Sequence, residues 1–412
     1  MRIRTIGILL ALPVSLTAQA ASIPVTLSGE VRIRTELDGR TPGTSSDMVS
    51  LLRTRLGVSV EPSERVRAVV RISDSRAFGE ESNTLTDASA DHLDLHEGFI
   101  EWTSLAGTRL RVGRQELAYG DERLIGTVGW ANVTRSFDGV QLRLPVGGWT
   151  VDGFGATLRE FDAVGATGVD PRANEGLARD QSLFGVWATD GPDDLFAIVE
   201  SRVAGSGQHD VFRRTVGGHA TQPLGGFTLD ATAAFQFGTT VGNDDLTRDI
   251  SAWLVSGSVA HQFAGPLAPR LALQVDLLSG DDHPLDDRYG AFNTLYATNH
   301  KFYGFMDLIL DPASQLAGRG LADIALRGAL RPAAWQLGLD LHRLALMVDR
   351  SGTTGRTLGT ELDATLGRTL AKGLGLSTGA SIFQPASAAR QPGIGLGEAT
   401  LWWGYVQLTT SF

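Results

Sequence analysis

One recurrence constrains this chain more than anything else. Stretches of about ten residues in which apolar and polar side chains alternate return roughly every 20 residues, separated in turn by short connectors and long polar loops. The stretch from Arg109 to Arg143, RLRVGRQELAYGDERLIGTVGWANVTRSFDGVQLR, shows the pattern clearly: Arg109 and Arg111 alternate with Leu110 and Val112, and a second patterned segment carries Gln141 and Arg143. Period two sends alternate residues to opposite faces of a strand, so one face wants an apolar medium and the other wants water or an anion.

Strands are predicted at 25–36, 50–60, 65–74, 93–102, 108–116, 137–144, 149–158, 181–190 and 194–202, then at 211–221, 226–237, 250–261, 268–278, 320–330, 334–348, 358–370, 373–383 and 399–412. Short connectors of Gly, Pro and polar residues lie at Glu61-Pro62-Ser63-Glu64, Ser104 to Gly107, Pro145 to Gly148, Gly191 to Asp193, Gln222 to Gly225, Ala264 to Pro266, Arg331 to Ala333 and Ala371 to Gly373. Lys301 to Leu310, KFYGFMDLIL, is hydrophobic enough for another strand. Counting it would put the tight turns that follow on the outer face, whereas bacterial barrels keep short turns on the periplasmic side. Assigning it to a long loop, 279–319, restores short-inside and long-outside. The fold class expected is therefore all-β: a transmembrane antiparallel β-barrel of about 18 strands, outer-membrane type, with roughly nine outer loops.

Composition excludes the alternatives. Mean hydropathy is −0.01 and Gly numbers 50, too polar for a bundle of membrane helices and too apolar for a disordered chain. No apolar run of about 18 residues follows residue 22, so no helix is expected to span a membrane. Residues 1–20 read as an export signal, with Arg2 and Arg4, an apolar Ile6 to Val14 broken by Pro13, and Ala18-Gln19-Ala20 as a cleavage site. That leaves 21–412 as a single barrel beginning near Ala21 and directed to the bacterial outer membrane through the periplasm. Removing Arg2 and Arg4 takes the formal charge from −10 to −12, 34 basic against 46 acidic residues, which gives no footprint for nucleic acid. With Cys 0, disulfides cannot supply stability.

The last strand puts Val406, Leu408, Thr410 and Phe412 on one face and ends on an aromatic residue. Such an ending resembles the signal read by the barrel-assembly machinery, which is the partner expected through Phe412. Trp149, Trp187, Trp253, Trp335 and Trp402 are candidates for an aromatic girdle.

With lipid outside, each apolar face must look outward. Val25, Leu27, Val31 and Ile33 then face lipid, and Glu30, Arg32, Arg34 and Glu36 the lumen. Arg53 and Arg55 follow on the second strand, Arg65, Arg67 and Arg71 on the third, and Arg109, Arg111 and Arg143 later. An arginine at the bilayer midplane would cost about 2–4 kcal/mol, so this column belongs in the lumen or at its rim. Asp230, Asp276, Asp323, Asp340, Glu361 and Asp363 alternate with apolar residues on later strands and also point inward. Opposed basic and acidic walls can simply neutralise one another. The first three strands, however, carry seven arginines against two glutamates, and arginine forks suit carboxylates. Glu116 to Asp138, between the fifth and sixth strands, is expected to form an outer loop over the pore rim, and substrate contact is expected from these arginines, from Arg114, Arg135 and Asp138 at that loop, and from Asp276, Asp323, Asp340, Glu361 and Asp363. Whether Arg114 and Arg135 reach a constriction or brace their loop stays open.

The run Leu110 to Gly126, followed by Trp130, Asn132 and Arg135-Ser136-Phe137-Asp138-Gly139, resembles the alginate export family of outer-membrane porins. So does Thr298-Asn299-His300-Lys301-Phe302-Tyr303-Gly304-Phe305-Met306-Asp307. The resemblance implies an 18-stranded barrel with an electropositive constriction that passes an anionic uronic-acid polymer. One departure is that the late connector is only Ala371-Lys372-Gly373, where the alginate secretion porin would need a long periplasmic loop to plug the pore. The loop 279–319 is the remaining candidate for folding into or over the mouth.

No nucleophile elbow, phosphate-binding glycine run or cysteine ligand set occurs. His92 and His96 would lie about 13 Å apart on a strand, too far for one metal ion, and no cofactor is expected. The carboxylates Glu116, Asp121 and Glu122, set among Arg114 and Arg123, could be read as a glycosidase pair, but an ion-paired loop accounts for them. The reading is a monomeric, passive channel for an anionic saccharide. The alternatives are a general small-solute porin and an outer-membrane polysaccharide hydrolase.

Overall fold

The computed structural model describes residues 23–41, 47–79, 93–159, 179–204, 209–242, 244–350, 352 and 355–412. The export signal expected at 1–20 lies outside the described residues, as does His92.

The strands are β1 Val25–Gly39, β2 Asp47–Ser63, β3 Val66–Ala77, β4 Leu93–Thr103, β5 Arg109–Gln115, β6 Phe137–Val146, β7 Trp149–Arg159, β8 Arg179–Asp190 and β9 Asp193–Ala204. They continue as β10 His209–Leu224, β11 Phe227–Val241, β12 Thr247–Gln262, β13 Arg270–Leu278, β14 Arg288–Tyr289, β15 Leu321–Leu330, β16 Trp335–Ala345, β17 Thr357–Ala371, β18 Leu374–Pro385 and β19 Leu401–Ser411. Each strand pairs antiparallel with its neighbours in sequence, and β1 pairs with β19 as well as β2, which closes the sheet. The exception is β14, a two-residue strand inside the long β13–β15 connection that lies parallel to β12. The wall is thus a closed antiparallel barrel of 18 strands, the expected number. Closure leaves no unpaired edge.

Alternation sorts the side chains. On β1, Leu27 is 68% exposed and Ile33 40%, while Arg32 and Arg34 are each 3% exposed. The apolar residues form the outer belt and the charged ones face in, the reverse of a soluble domain. Two-residue hairpins such as Gly147-Gly148 and Gly191-Pro192 join strands at one end, and Gly147 and Gly191 sit at φ +62° and +59°, where a side chain would be strained. The long loops emerge at the other end.

Three expectations are corrected. Arg65 belongs to the β2–β3 turn, because β3 begins only at Val66. Trp187 is no girdle residue: its register partner is the inward Asp152, it is 4% exposed and it stacks on Tyr119 inside the lumen. The segment from Glu116 to Asp138 is not a loop lying over the rim but one that folds inward. Lys301 to Leu310 forms no strand, as the parity argument required. The largest buried side chains include Tyr303, Phe292, Leu124, Ile125 and Met306, all from loops, so the core of this molecule sits in its lumen.

Candidate functional site: a lumen closed by two loops

The β5–β6 loop and the β13–β15 loop meet inside the barrel. Gly126 donates to the Tyr296 carbonyl at 2.8 Å and Tyr296 to the Leu124 carbonyl at 2.8 Å, a single parallel bridge, and Thr298 donates to the Glu122 carbonyl at 2.9 Å beside it. Glu122 adds side-chain bonds from Thr298 Oγ1 at 2.5 Å and Lys301 Nζ at 2.6 Å. Burial pushes the Glu122 carboxyl up, but the hydrogen bond and charge of Lys301 outweigh it and hold the group below the usual range. Trp130 stacks on His300 at 4.5 Å, and His300 on Phe305 at 5.2 Å. The two loops act as one plug.

The basic wall grips one side of this plug. Arg32 donates to the carbonyls of Gly129 at 3.1 Å, Trp130 at 3.0 Å and Ala131 at 2.8 Å. Arg34 donates to Trp130 O at 2.7 Å, lies 4.1 Å over the Trp130 ring and pairs with Glu36 at 2.7 Å. Arg53 bridges Glu30, 2.7 Å away, and the Gly129 and Ala131 carbonyls at 3.0 and 2.9 Å. Arg55 donates to Thr134 Oγ1. The sequence rightly placed these arginines inward, and the structure shows what they hold: loop carbonyls that would otherwise be stripped of water.

The acidic wall grips the opposite side. Asp276 pairs with loop residue Arg123 at 3.0 Å, Glu361 accepts from Met306 N at 2.9 Å, and Asp363 accepts from Phe305 N at 3.4 Å. Asp323 meets His342 at 2.7 Å, and Arg327 joins Asp340 at 3.3 Å to the Phe302 carbonyl at 2.9 Å. A Cβ on Gly304 would lie 2.4 Å from Glu361 Oε1, so only glycine lets this turn approach its anchor. A third contact is apolar: Tyr119 stacks between Phe154 at 5.1 Å and Trp187 at 5.2 Å, and Trp187 on Phe196 at 4.5 Å.

The charges of the β5–β6 loop are engaged. Glu116 meets His96 at 2.7 Å, and Asp121 meets Arg123 at 2.8 Å, where burial raises the Asp121 carboxyl. Arg135 reaches the carbonyls of Gly126, Tyr296 and Ala297, so it braces the two loops against each other, and burial lowers its pKa. Asp138 corrects an expectation: it lies on the outward face with Val140 and pairs with its register partner Arg114 at 3.2 Å near the long-loop end, while Arg114 also lies 3.7 Å from Asp94 and lines a cavity with His96 and Thr134.

What remains accessible is the short-turn half. Arg67, Arg109, Arg111 and Arg143 face the lumen there on neighbouring strands. Arg111 is held by Glu101 at 2.7 Å and Arg143 by Asp152 at 2.5 Å, while Arg71, higher on the wall, is held by Glu97 at 2.6 Å. Among the described residues Arg67 meets the Ser59 hydroxyl at 2.8 Å and no carboxylate, and Arg109 has no ion pair or side-chain hydrogen bond.

Sequence reasoning missed the working roles of Trp130, Glu122, Tyr296 and Lys301. They lay within the family-like stretches, but only the fold shows that residues separated by 161 to 179 positions meet.

A family model described as alginate export matches residues 23–157 and 183–310. Among solved structures, a BenF-like porin from Pseudomonas fluorescens Pf-5 superposes with a TM-score of 0.62 at 12% identity, covering 94% of this chain and 98% of that one. Pseudomonas aeruginosa OccK2 (OpdF) in complex with glucuronate gives 0.61 at 14% identity, with 94% and 98% covered. Acinetobacter baumannii OccAB1 gives 0.57 at 14%, with 95% and 97% covered. At these identities the likeness concerns the fold. No curated protein sequence matches the chain.

Proposed function

The chain belongs to the alginate export family, and on that premise we propose that it is an outer-membrane channel passing an anionic saccharide of the uronic-acid class through a basic short-turn half and past a plug of two loops. The observation that carries this reading is Arg109 lying directly opposite Arg143 across β5 and β6, both facing the lumen. Like charges in direct register destabilise a sheet. Asp152 neutralises Arg143, and Arg109 is left to meet an anion that arrives in the pore. A planar guanidinium replaces the water around a carboxylate with two parallel bonds, while nearby Glu101 and Asp152 keep the site from holding its cargo too tightly.

Two further observations support the reading. The short turns of such barrels are periplasmic, so the basic half faces the compartment from which an exported polymer comes. A barrel of similar fold, OccK2, has been solved with glucuronate. The partners we infer on the same reading are lipid around the apolar belt and the barrel-assembly machinery at Phe412, with the barrel acting as a monomer.

A general small-solute porin is the second reading, favoured by the plug, which narrows the lumen for everything. Polyuronate added on the short-turn side of single channels separates the two. It should interrupt the current while neutral dextrin of equal size does not, and the Arg109→Gln/Arg143→Gln double variant should lose the interruption. Equal block by both polymers would establish the porin instead.

A further inference from the structure

We propose that a groove on the outer wall, in the short-turn half of β13 and β15 to β18, seats the acyl chains of one glycerophospholipid, with Arg270 and Arg368 holding its phosphate. The site lies outside the lumen and does not depend on what the pore carries. The groove measures ≈ 750 Å³, within the roughly 300–1,000 Å³ that small-molecule sites occupy. Its middle is one outward row across five strands: Leu271 lies opposite Gly328, Gly328 opposite Leu339, Leu339 opposite Ala364 and Ala364 opposite Ala380. The glycine and the two alanines leave a depression. On its long-loop side the next outward row is large, with Leu326, Leu341, Leu362 and Ile382 all standing out from the wall.

Charge selects the occupant. Arg270, exposed at the start of β13, is the one charged residue in the lining. Leu337 and Leu366 line the groove as register partners, and Trp335 and Arg368 are the next outward pair toward the turns. Arg368 is exposed, and its guanidinium lies 4.8 Å from the Trp335 ring centre, a stacking that holds it against the wall. All four carboxylates of β15 to β18, Asp323, Asp340, Glu361 and Asp363, are buried on the inward side, so none of the described residues on the outer face of these strands neutralises the pair. An outward arginine is tolerated near the membrane interface and not at the midplane, and Trp335 and Phe263 mark the interfacial belt at this level. At about 3.3 Å per residue Arg368 stands about 13 Å along β17 from Ala364, which puts a headgroup site above an apolar channel. A phosphate diester meets guanidinium forks with charge-assisted bonds while its tails fill the groove.

Native mass spectrometry of the full chain in detergent, with dioleoyl phosphatidylglycerol and dioleoylglycerol as probes, tests the site. The native barrel should retain one phosphatidylglycerol, and bind dioleoylglycerol about tenfold more weakly for want of the phosphate. Ala364→Phe, which fills the groove from an exposed position, should weaken both lipids by about tenfold. Arg270→Gln/Arg368→Gln should bring phosphatidylglycerol down to the level of dioleoylglycerol. Val186→Phe, on the outer face of β8, should change neither. The gel mobility of unheated samples shows whether each variant has folded. Equal binding of the two lipids by the native chain, or unchanged affinities in both folded groove variants, would overturn the site. So would a native dimer that Ala364→Phe dissolves, because the groove would then belong to a second copy of the chain.

Discussion

At the residue scale, the plug depends on a few groups that must keep their charge. Glu122 is the clearest, since its carboxylate joins the loops through Lys301 and Thr298. Its folded pKa is depressed, so its contribution is fully present above the unfolded value of about 4.3 and is lost as pH falls through the lower folded value. Single-channel conductance should therefore stay flat from about pH 7 to 5 and rise below about pH 4. Glu122→Gln should show the raised conductance already at neutral pH, and a native channel indifferent to acid would refute the clasp. Gly304→Ala tests the other anchor. At φ +94° and against Glu361 the new methyl group costs about 1–3 kcal/mol, which should loosen the tip of the β13–β15 loop and increase current noise with no change in the barrel's heat-modifiable gel shift. The inward direction of Arg32, Arg34 and Arg53 was legible from period two. Their targets were not, because the carbonyls of residues 129 to 131 carry no signal in side-chain chemistry.

At the element scale, the barrel was readable and the loops were not. All 18 wall strands follow from alternation, turn residues and parity, with ends displaced by a few residues, as at β2, which runs Asp47–Ser63 where 50–60 was expected. Parity also settled the hydrophobic run Lys301 to Leu310 correctly. The β5–β6 loop was misplaced for a physical reason. In a soluble protein a segment as charged as Glu116 to Arg123 belongs in water, but the interior of this barrel is polar and offers Asp276 to Arg123 and His96 to Glu116. Polarity cannot tell rim from lumen when both bind charge. If the β13–β15 loop closes the pore, deleting 283–317 should raise conductance several-fold, since Tyr296, Lys301 and Met306 go with it. Conductance equal to that of the intact chain would show that current takes another path.

At the scale of the whole molecule, the barrel with its apolar outside and charged inside is closed by the pairing of β1 with β19. The chain ends where it began: Phe412 exchanges backbone hydrogen bonds with Gly29 at 2.9 and 3.1 Å, and its ring lies over that glycine, where a Cβ would come within 2.2 Å of it. Phe412→Ala should slow formation of the heat-modifiable species in vesicles, while Gly29→Val should block it outright. The closed wall then sets the field in which ions move. In the short-turn half Arg67 and Arg109 face the lumen with no ion pair among the described residues, and at the plug Asp276, Glu361 and Asp363 are tied to loops. The reversal potential of single channels in a planar bilayer under a salt gradient reads that field directly. The native channel should give the sign of anion selectivity, shifted toward zero in Arg109→Gln/Arg143→Gln, and a native potential of the opposite sign would overturn the anionic-cargo reading.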